Sequence, residues 1–256
     1  MLNIMRMDLR RFRSYKLMPV LLAVFFGFQL FGIYNFSKYA DSFAGIEFDS
    51  LSASAFFQYL LSQPPSWMLI YIAVFTVYYT WSERSSGFYK NYISMRHARV
   101  SSVMSKALVL GLFTALLFGT AVVANAIGRW LFFPEAPMGD WGTYVKLLAL
   151  QILLHWAFAV MLLFGAMVSR SLIAGLILGL VLALNVIGYF LSALASLLFG
   201  DGAAQTSWWL TNRIMLPMEL TQSGVSDAWH PLLVAVVFLL LFGAAGAWFR
   251  QREDLH

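Results

Sequence analysis

The chain has 256 residues, of which 61% are hydrophobic, 11% are charged and none is cysteine, with a formal charge of +5 and a mean hydropathy of +0.74. A soluble domain carries about a quarter charged residues, so a chain this apolar takes the bilayer as its solvent. The lack of cysteine excludes disulfides, thiolate metal sites and cysteine nucleophiles, and polar interruptions of at most about 30 residues leave no room for a separate soluble domain.

Residues 1–16, MLNIMRMDLRRFRSYK, hold Arg6, Arg10, Arg11, Arg13 and Lys16. Leu2, Met5, Leu9 and Phe12 recur at helical spacing beside a polar stripe of Asn3, Arg6, Arg10 and Arg13. This predicts an amphipathic helix in the headgroup layer, with Ile4 and Met7 off the apolar stripe. The first span is predicted over 17–36, with Pro19 tolerated in its first turn. Its apolar run is too long for a signal-peptide core and no small-residue cleavage site follows, so it reads as a retained span. In 37–66, Lys38 is set against Asp41, Glu47 and Asp49, which reads as outside. Within that segment LSASAFFQYLL suggests a short helix ended by Pro64-Pro65. The second span, 67–81, is aromatic, and its rise of about 22 Å is short for a bilayer.

Residues 81–106, WSERSSGFYKNYISMRHARVSSVMSK, carry Arg84, Lys90, Arg96, Arg99 and Lys106 between two apolar runs. Such an insert is expected in water, and its excess of Lys and Arg places it in the cytoplasm. A short helix over 87–96, capped by Ser85 or Ser86, would show Phe88, Tyr92 and Met95 on one face and Tyr89, Ile93 and Arg96 on the next. That apolar surface must dock on something. A second short helix, 99–106, leads into the third span at 107–133. There Asn125 and Arg129 stand one turn apart, and Arg129 is expected to snorkel to the outer surface. The fourth span, 144–168, carries Gln151 and His155. A minimal turn, Ser169-Arg170-Ser171, leads to the fifth span at 172–199, with Gly175 and Gly179 in a GxxxG pattern for close helix packing, within or between subunits. Asn185 and Tyr189 follow. An outside segment, 200–230, contains SWWLTNRIMLPMEL, and the sixth span covers 231–249 before FRQREDLH. Thirteen of the 17 Lys and Arg fall on the inside of this layout. Both termini are therefore expected in the cytoplasm, which requires an even number of spans.

There is no G-x-x-x-x-G-K-[ST], G-x-S-x-G or H-E-x-x-H. The chain thus carries no nucleotide-binding motif, and no enzyme activity is expected of it. Paired axial haem ligands are absent, and no Asp or Glu lies deep in a span for a metal site. An intramembrane enzyme would have to use His155 as base or ligand. A non-catalytic assembly or immunity factor is the other alternative.

The order of these features resembles the permeases of type-2 ATP-binding cassette (ABC) exporters. The matching parts are the basic amphipathic start, Glu83 ending the second span with Gly87 and Lys90 after it, and Lys106 opening the third span. The short turn at Arg170, the longer outside segment before the last span and the aromatic, charged tail complete the pattern. The resemblance implies an all-α fold of six spans, in two copies, each carried by a separate ATPase subunit that binds ATP and magnesium. It implies that the loop over 82–106 is a coupling helix seated in the ATPase, through Glu83, Gly87, Phe88, Tyr89, Lys90, Tyr92 and Arg96, with Arg170 adding to it. It also implies a translocation pathway between the two copies, flanked by spans two and five, with Phe75, Tyr78, Tyr79, Asn185 and Tyr189. Aromatic, nearly uncharged spans suit an amphipathic peptide or lipid-like cargo exported from the bacterial plasma membrane. Nucleic acid is not an expected partner.

Overall fold

The computed structural model describes residues 2–39, 46–87, 98–200, 206–221 and 224–252. Helix α1, Leu2–Arg13, buries Ile4, Asp8 and Phe12, one residue per turn. Arg6, Arg10 and Arg13 stay exposed. The buried face is thus rotated from the stripe the sequence suggests: Ile4 packs inward with Met7 against it, whereas Leu9 is exposed. The cause is Asp8, a charged residue that periodicity alone assigns to water but that turns toward other charges inside.

Helix α2, Leu17–Lys38, buries little besides Phe25 and Ile33 and lies along α5, Ala98–Phe132. The contact is close where Gly128 leaves room for Ile33, whose Cδ1 would stand 2.7 Å from a Cβ there. Helix α3, Ala53–Ser62, and helix α4, Trp67–Ser85, meet at 62°. Serines cap both: Ser52 accepts from the Ala55 N–H at 3.3 Å and Ser66 from that of Leu69 at 3.4 Å. Such side-chain oxygens satisfy N–H groups that the helix leaves open.

Two boundaries differ from expectation. Helix α4 continues to Ser85, four residues past the predicted end, so Glu83 and Arg84 belong to its last turn. It ends at Gly87, whose φ of +64 is the left-handed conformation glycine adopts without cost. Helix α5 is one continuous rod of 35 residues rather than a short helix followed by a span. It rises about 52 Å, well beyond the roughly 30 Å hydrocarbon layer.

Helix α6, Trp141–Ser169, starts at Asp140, whose carboxylate accepts from the Thr143 N–H at 2.6 Å. That hydrogen bond holds the Asp140 carboxyl below the usual carboxylate range. Helix α6 is the central pillar: its most apolar stretch is 67% buried, against 11% for α2 and 17% for the last helix, α10, Trp229–Arg252. It packs on α4, α5 and α10. The predicted fifth span is two helices, α7, Leu172–Ala183, and α8, Val186–Phe199, bent by 47°. The break falls at Asn185, which takes φ +55. Gly175 and Gly179 both face α4, where an added Cβ would come within 2.9 Å of Val77 and 3.0 Å of Ala73. The GxxxG pattern therefore serves packing within one chain.

Between α8 and α10 lie a short helix α9, Leu210–Met215, and two paired segments, β1, Leu220–Thr221, and β2, Gly224–Val225. They are antiparallel, with Leu220 opposite Val225. Gln58 of α3 donates to the Met218 carbonyl at 2.7 Å, and Thr143 of α6 to that of Thr221 at 3.3 Å. The segment is thereby folded onto the helix ends.

Phe75 of α4 stacks on Phe113 of α5 at 3.8 Å in the main core. The outer faces of α7, α8 and α10 are strongly apolar, with Ile173, Phe190, Leu197 and Leu240 each more than two-thirds exposed. Water would penalise that surface heavily, and hydrocarbon would not. Among the described residues, four helices are long and apolar enough to cross a membrane, or up to six if each bent pair is one span.

Candidate functional site

A cluster of charges is buried where α1, α4 and α5 converge, at the end of the bundle that carries Arg6, Arg10, Arg99 and Arg252. Glu83 is its centre. Its Oε2 lies 2.8 Å from Lys106 Nζ and 3.2 Å from Arg11 Nη1. The side chains are 3%, 5% and 14% exposed, so the charges compensate one another rather than face water. Glu83 and Lys106, expected in water with the rest of 81–106, instead lie inside the bundle.

Each charge is held by its own helix and a neighbour. Lys106 donates to Ser102 Oγ at 2.9 Å, one turn earlier in α5. Arg11 donates through Nη2 to the Tyr79 carbonyl and Ser82 Oγ, both at 2.6 Å. Its guanidinium lies 4.3 Å from the Tyr79 ring centre. Tyr79 returns a hydrogen bond from its hydroxyl to the Asp8 carbonyl at 3.2 Å. Arginine suits this place because its planar fork reaches a carboxylate and helix-end oxygens together. Arg11 thus ties α1 to the last two turns of α4, and the helix end itself is closed by Ser86, whose hydroxyl donates to the Ser82 carbonyl at 2.7 Å.

Asp8 borders the same cluster and is 1% exposed. Burial pushes its carboxyl above the ordinary range; Lys106 opposes this, and Glu83 adds to it. The folded state therefore holds this proton more tightly than the unfolded chain does. The stability Asp8 contributes is complete below about pH 4 and is lost as pH rises through the raised value. Asp8→Asn does not titrate, so its melting temperature relative to the parent should climb between acidic and neutral pH. Paired thermal scans across that range check this; a constant difference would refute it.

Arg84 donates to the Met167 carbonyl at 3.4 Å. Trp81, Arg84 and Arg170 line one small crevice. Arg170 ends α6 with φ +52 and is exposed, so the short turn before α7 stands beside the end of α4. Glu83, Gly87 and Arg170 thus share one end of the bundle. Phe88, Tyr89, Lys90, Tyr92 and Arg96 lie outside the described residues, as does the predicted helix 87–96 but for Gly87.

The five residues expected along a pathway separate into two groups. Phe75 and Tyr79 have no exposed surface and belong to the core, and Asn185 is 3% exposed. Tyr78 and Tyr189 reach the outside, at 37% and 52% exposure. Burial of Phe75 and Tyr79 follows from their stacking on each other and from Phe12 of α1, which meets Phe75 edge-on.

Asn185 serves a different purpose. Its Nδ2 donates to Asn212 Oδ1 of α9 at 2.7 Å, and its Oδ1 accepts from the Thr211 hydroxyl. Asn212 Nδ2 also donates to Ser192 Oγ at 3.2 Å and the Thr206 carbonyl at 3.3 Å. These amides and hydroxyls lock the bend between α7 and α8 to the segment before the last helix. The sequence marked Asn185 as a polar residue in a span, but its partners lie 26 and 27 residues on.

His155 has no exposed surface. Its Nδ1 lies 2.8 Å from the Gln151 carbonyl, and its ring meets Phe118 edge-on at 4.9 Å. Among the described residues no group of three His, Asp or Glu could hold a metal. Arg129 does not snorkel outward: it is 6% exposed and donates to the Leu51 and Pro137 carbonyls at 3.2 and 2.8 Å. No family model matches the chain, and no curated protein matches it.

Proposed function

We propose that the chain is the permease subunit of an ABC exporter of the type-2 class, with six spans and both termini in the bacterial cytoplasm. A separate ATPase, present in two copies and carrying ATP and magnesium, would drive it. Two copies of the chain would form the pathway, and the cargo would be an amphipathic peptide or a lipid-like molecule moving outward.

One observation carries this reading. The buried Glu83 charges join α1, α4 and α5 at the end of α4 from which the segment to α5 departs. A push on that segment meets three helices tied by ion pairs in a low-dielectric setting, where such pairs resist separation. A protein without a nucleotide-binding motif that must respond to an outside engine needs such a rigid receiver. The exposed Arg170 beside the end of α4 offers the same partner a second contact. Tyr78 and Tyr189, exposed on α4 and α8, are the pathway candidates that remain available to a second copy.

The test is purification of the tagged chain from its native membrane, with identification of associated proteins and vesicle transport assays. A co-purifying ATPase is expected. Replacing Phe88 and Tyr92 by aspartate should uncouple ATP hydrolysis from transport. Undisturbed ATPase association and coupled hydrolysis in that variant would overturn the proposal.

A further inference from the structure

At the end of the bundle opposite Glu83, a cavity of about 300 Å³ opens between the end of α5 and the start of α6. Its walls include Asn125, Arg129, Trp130, Phe133, Trp141 and Tyr144. Arg129 is the unusual member. It is 94% buried, yet no carboxylate pairs with it among the described residues. Nη2 is satisfied by two loop carbonyls, while Nη1 has no hydrogen-bond partner. One turn earlier, Asn125 is 3% exposed; its amide reaches the Tyr144 hydroxyl, while its Oδ1 lacks a partner. A buried cation with no counter-charge is costly, and so is a buried donor or acceptor left unmade. Two such groups on one cavity wall, one needing an acceptor and the other a donor, describe the chemistry of an absent ligand.

The rim narrows the choice. Trp130 and Trp141 are 74% and 61% exposed, at the ends of helices long enough to cross a membrane. Exposed tryptophans in that position belong to the headgroup layer. We infer that this cavity binds the phosphate headgroup of an anionic glycerophospholipid. The phosphate oxygens accept from Arg129 and a headgroup hydroxyl donates to Asn125, while the tryptophans flank the glycerol backbone. Arginine is favoured for the phosphate because its fork presents parallel donors. The site is independent of the proposed ATPase coupling.

The test uses the purified full chain in detergent, titrated with phosphatidylglycerol, with diacylglycerol of the same chains, or with inorganic phosphate. Melting temperature is followed by tryptophan fluorescence. Phosphatidylglycerol is expected to raise the midpoint saturably and diacylglycerol to leave it unchanged. Arg129→Gln should weaken half-saturation about tenfold, the loss of one charge-assisted hydrogen bond. Trp141→Ala and Asn125→Leu should each weaken it measurably; they carry the test if Arg129→Gln does not fold. Equal effects of the two lipids, or unchanged half-saturation in the variants, would overturn the site. Inorganic phosphate matching phosphatidylglycerol at equal concentration would overturn the lipid as its source.

Discussion

Glu83→Gln is expected to lower the melting temperature of the purified protein by roughly 10 °C. Breaking a buried ion pair by removing one partner costs about 3–5 kcal/mol, and each kcal/mol shifts a chain of this size by about 2–4 °C. The substitution keeps the shape and removes the charge, so Lys106 and Arg11 face each other across a neutral amide. Their desolvation, offset by Glu83 in the parent, then opposes folding. Lys106→Met in the same background should recover part of the loss, because it removes one of the two cations that Glu83 compensates. The coupling between positions 83 and 106 in that double-mutant cycle should exceed about 1 kcal/mol. A shift of only a degree or two for Glu83→Gln would mean that water reaches the cluster.

Gly188→Ala is the second large effect. An added Cβ would collide with Oδ1 of both Asn185 and Asn212. Both atoms belong to a hydrogen-bonded pair enclosed between α8 and α9, so neither amide can withdraw without leaving a buried polar group unmatched. Overpacking and lost hydrogen bonds together should cost about 3 kcal/mol or more. The consequence is local as well as global. With the amide lock opened, α9 should detach from the bend between α7 and α8. The chain contains no cysteine, so one introduced at Leu210, which is wholly buried, reports this cleanly. A membrane-impermeant maleimide should label Leu210→Cys slowly in the parent and quickly beside Gly188→Ala. Equal labelling rates would show that the amides do not hold the segment.

Much of the helical plan was legible in the sequence because hydropathy and length are local properties. The runs that became α2, α5, α6 and α10 stand out on apolar content alone. What stayed hidden depends on partners distant in the chain. Glu83 and Lys106 look like water-exposed charges until α4 and α5 are placed side by side, since composition registers a charge but not its counter-charge. The extra turn of α4 was invisible for the same reason: the charge it carries, Glu83, is compensated by Arg11 from the other side of α2 and by Lys106 of α5. Asp8 misled the reading of α1, because a hydrophobic stripe assumes that carboxylates point outward. The bend at Asn185 left only one polar residue as its trace, and Thr211 and Asn212 gave no sign of the pairing. Gly175 and Gly179 were recognisable as a packing motif, while the surface they pack against became visible only with Val77 and Ala73 in place.

The pairing of Glu83 with Lys106 also bears on how the protein is made. During synthesis the carboxylate emerges first, at the trailing end of one apolar segment, and its ammonium partner follows at the leading end of the next. Neither segment on its own hides its charged tip from hydrocarbon, whereas the two side by side neutralise each other. Insertion of α4 and α5 as one hairpin, with Arg11 of α1 joining afterwards, is the order expected to spare both charges from lipid.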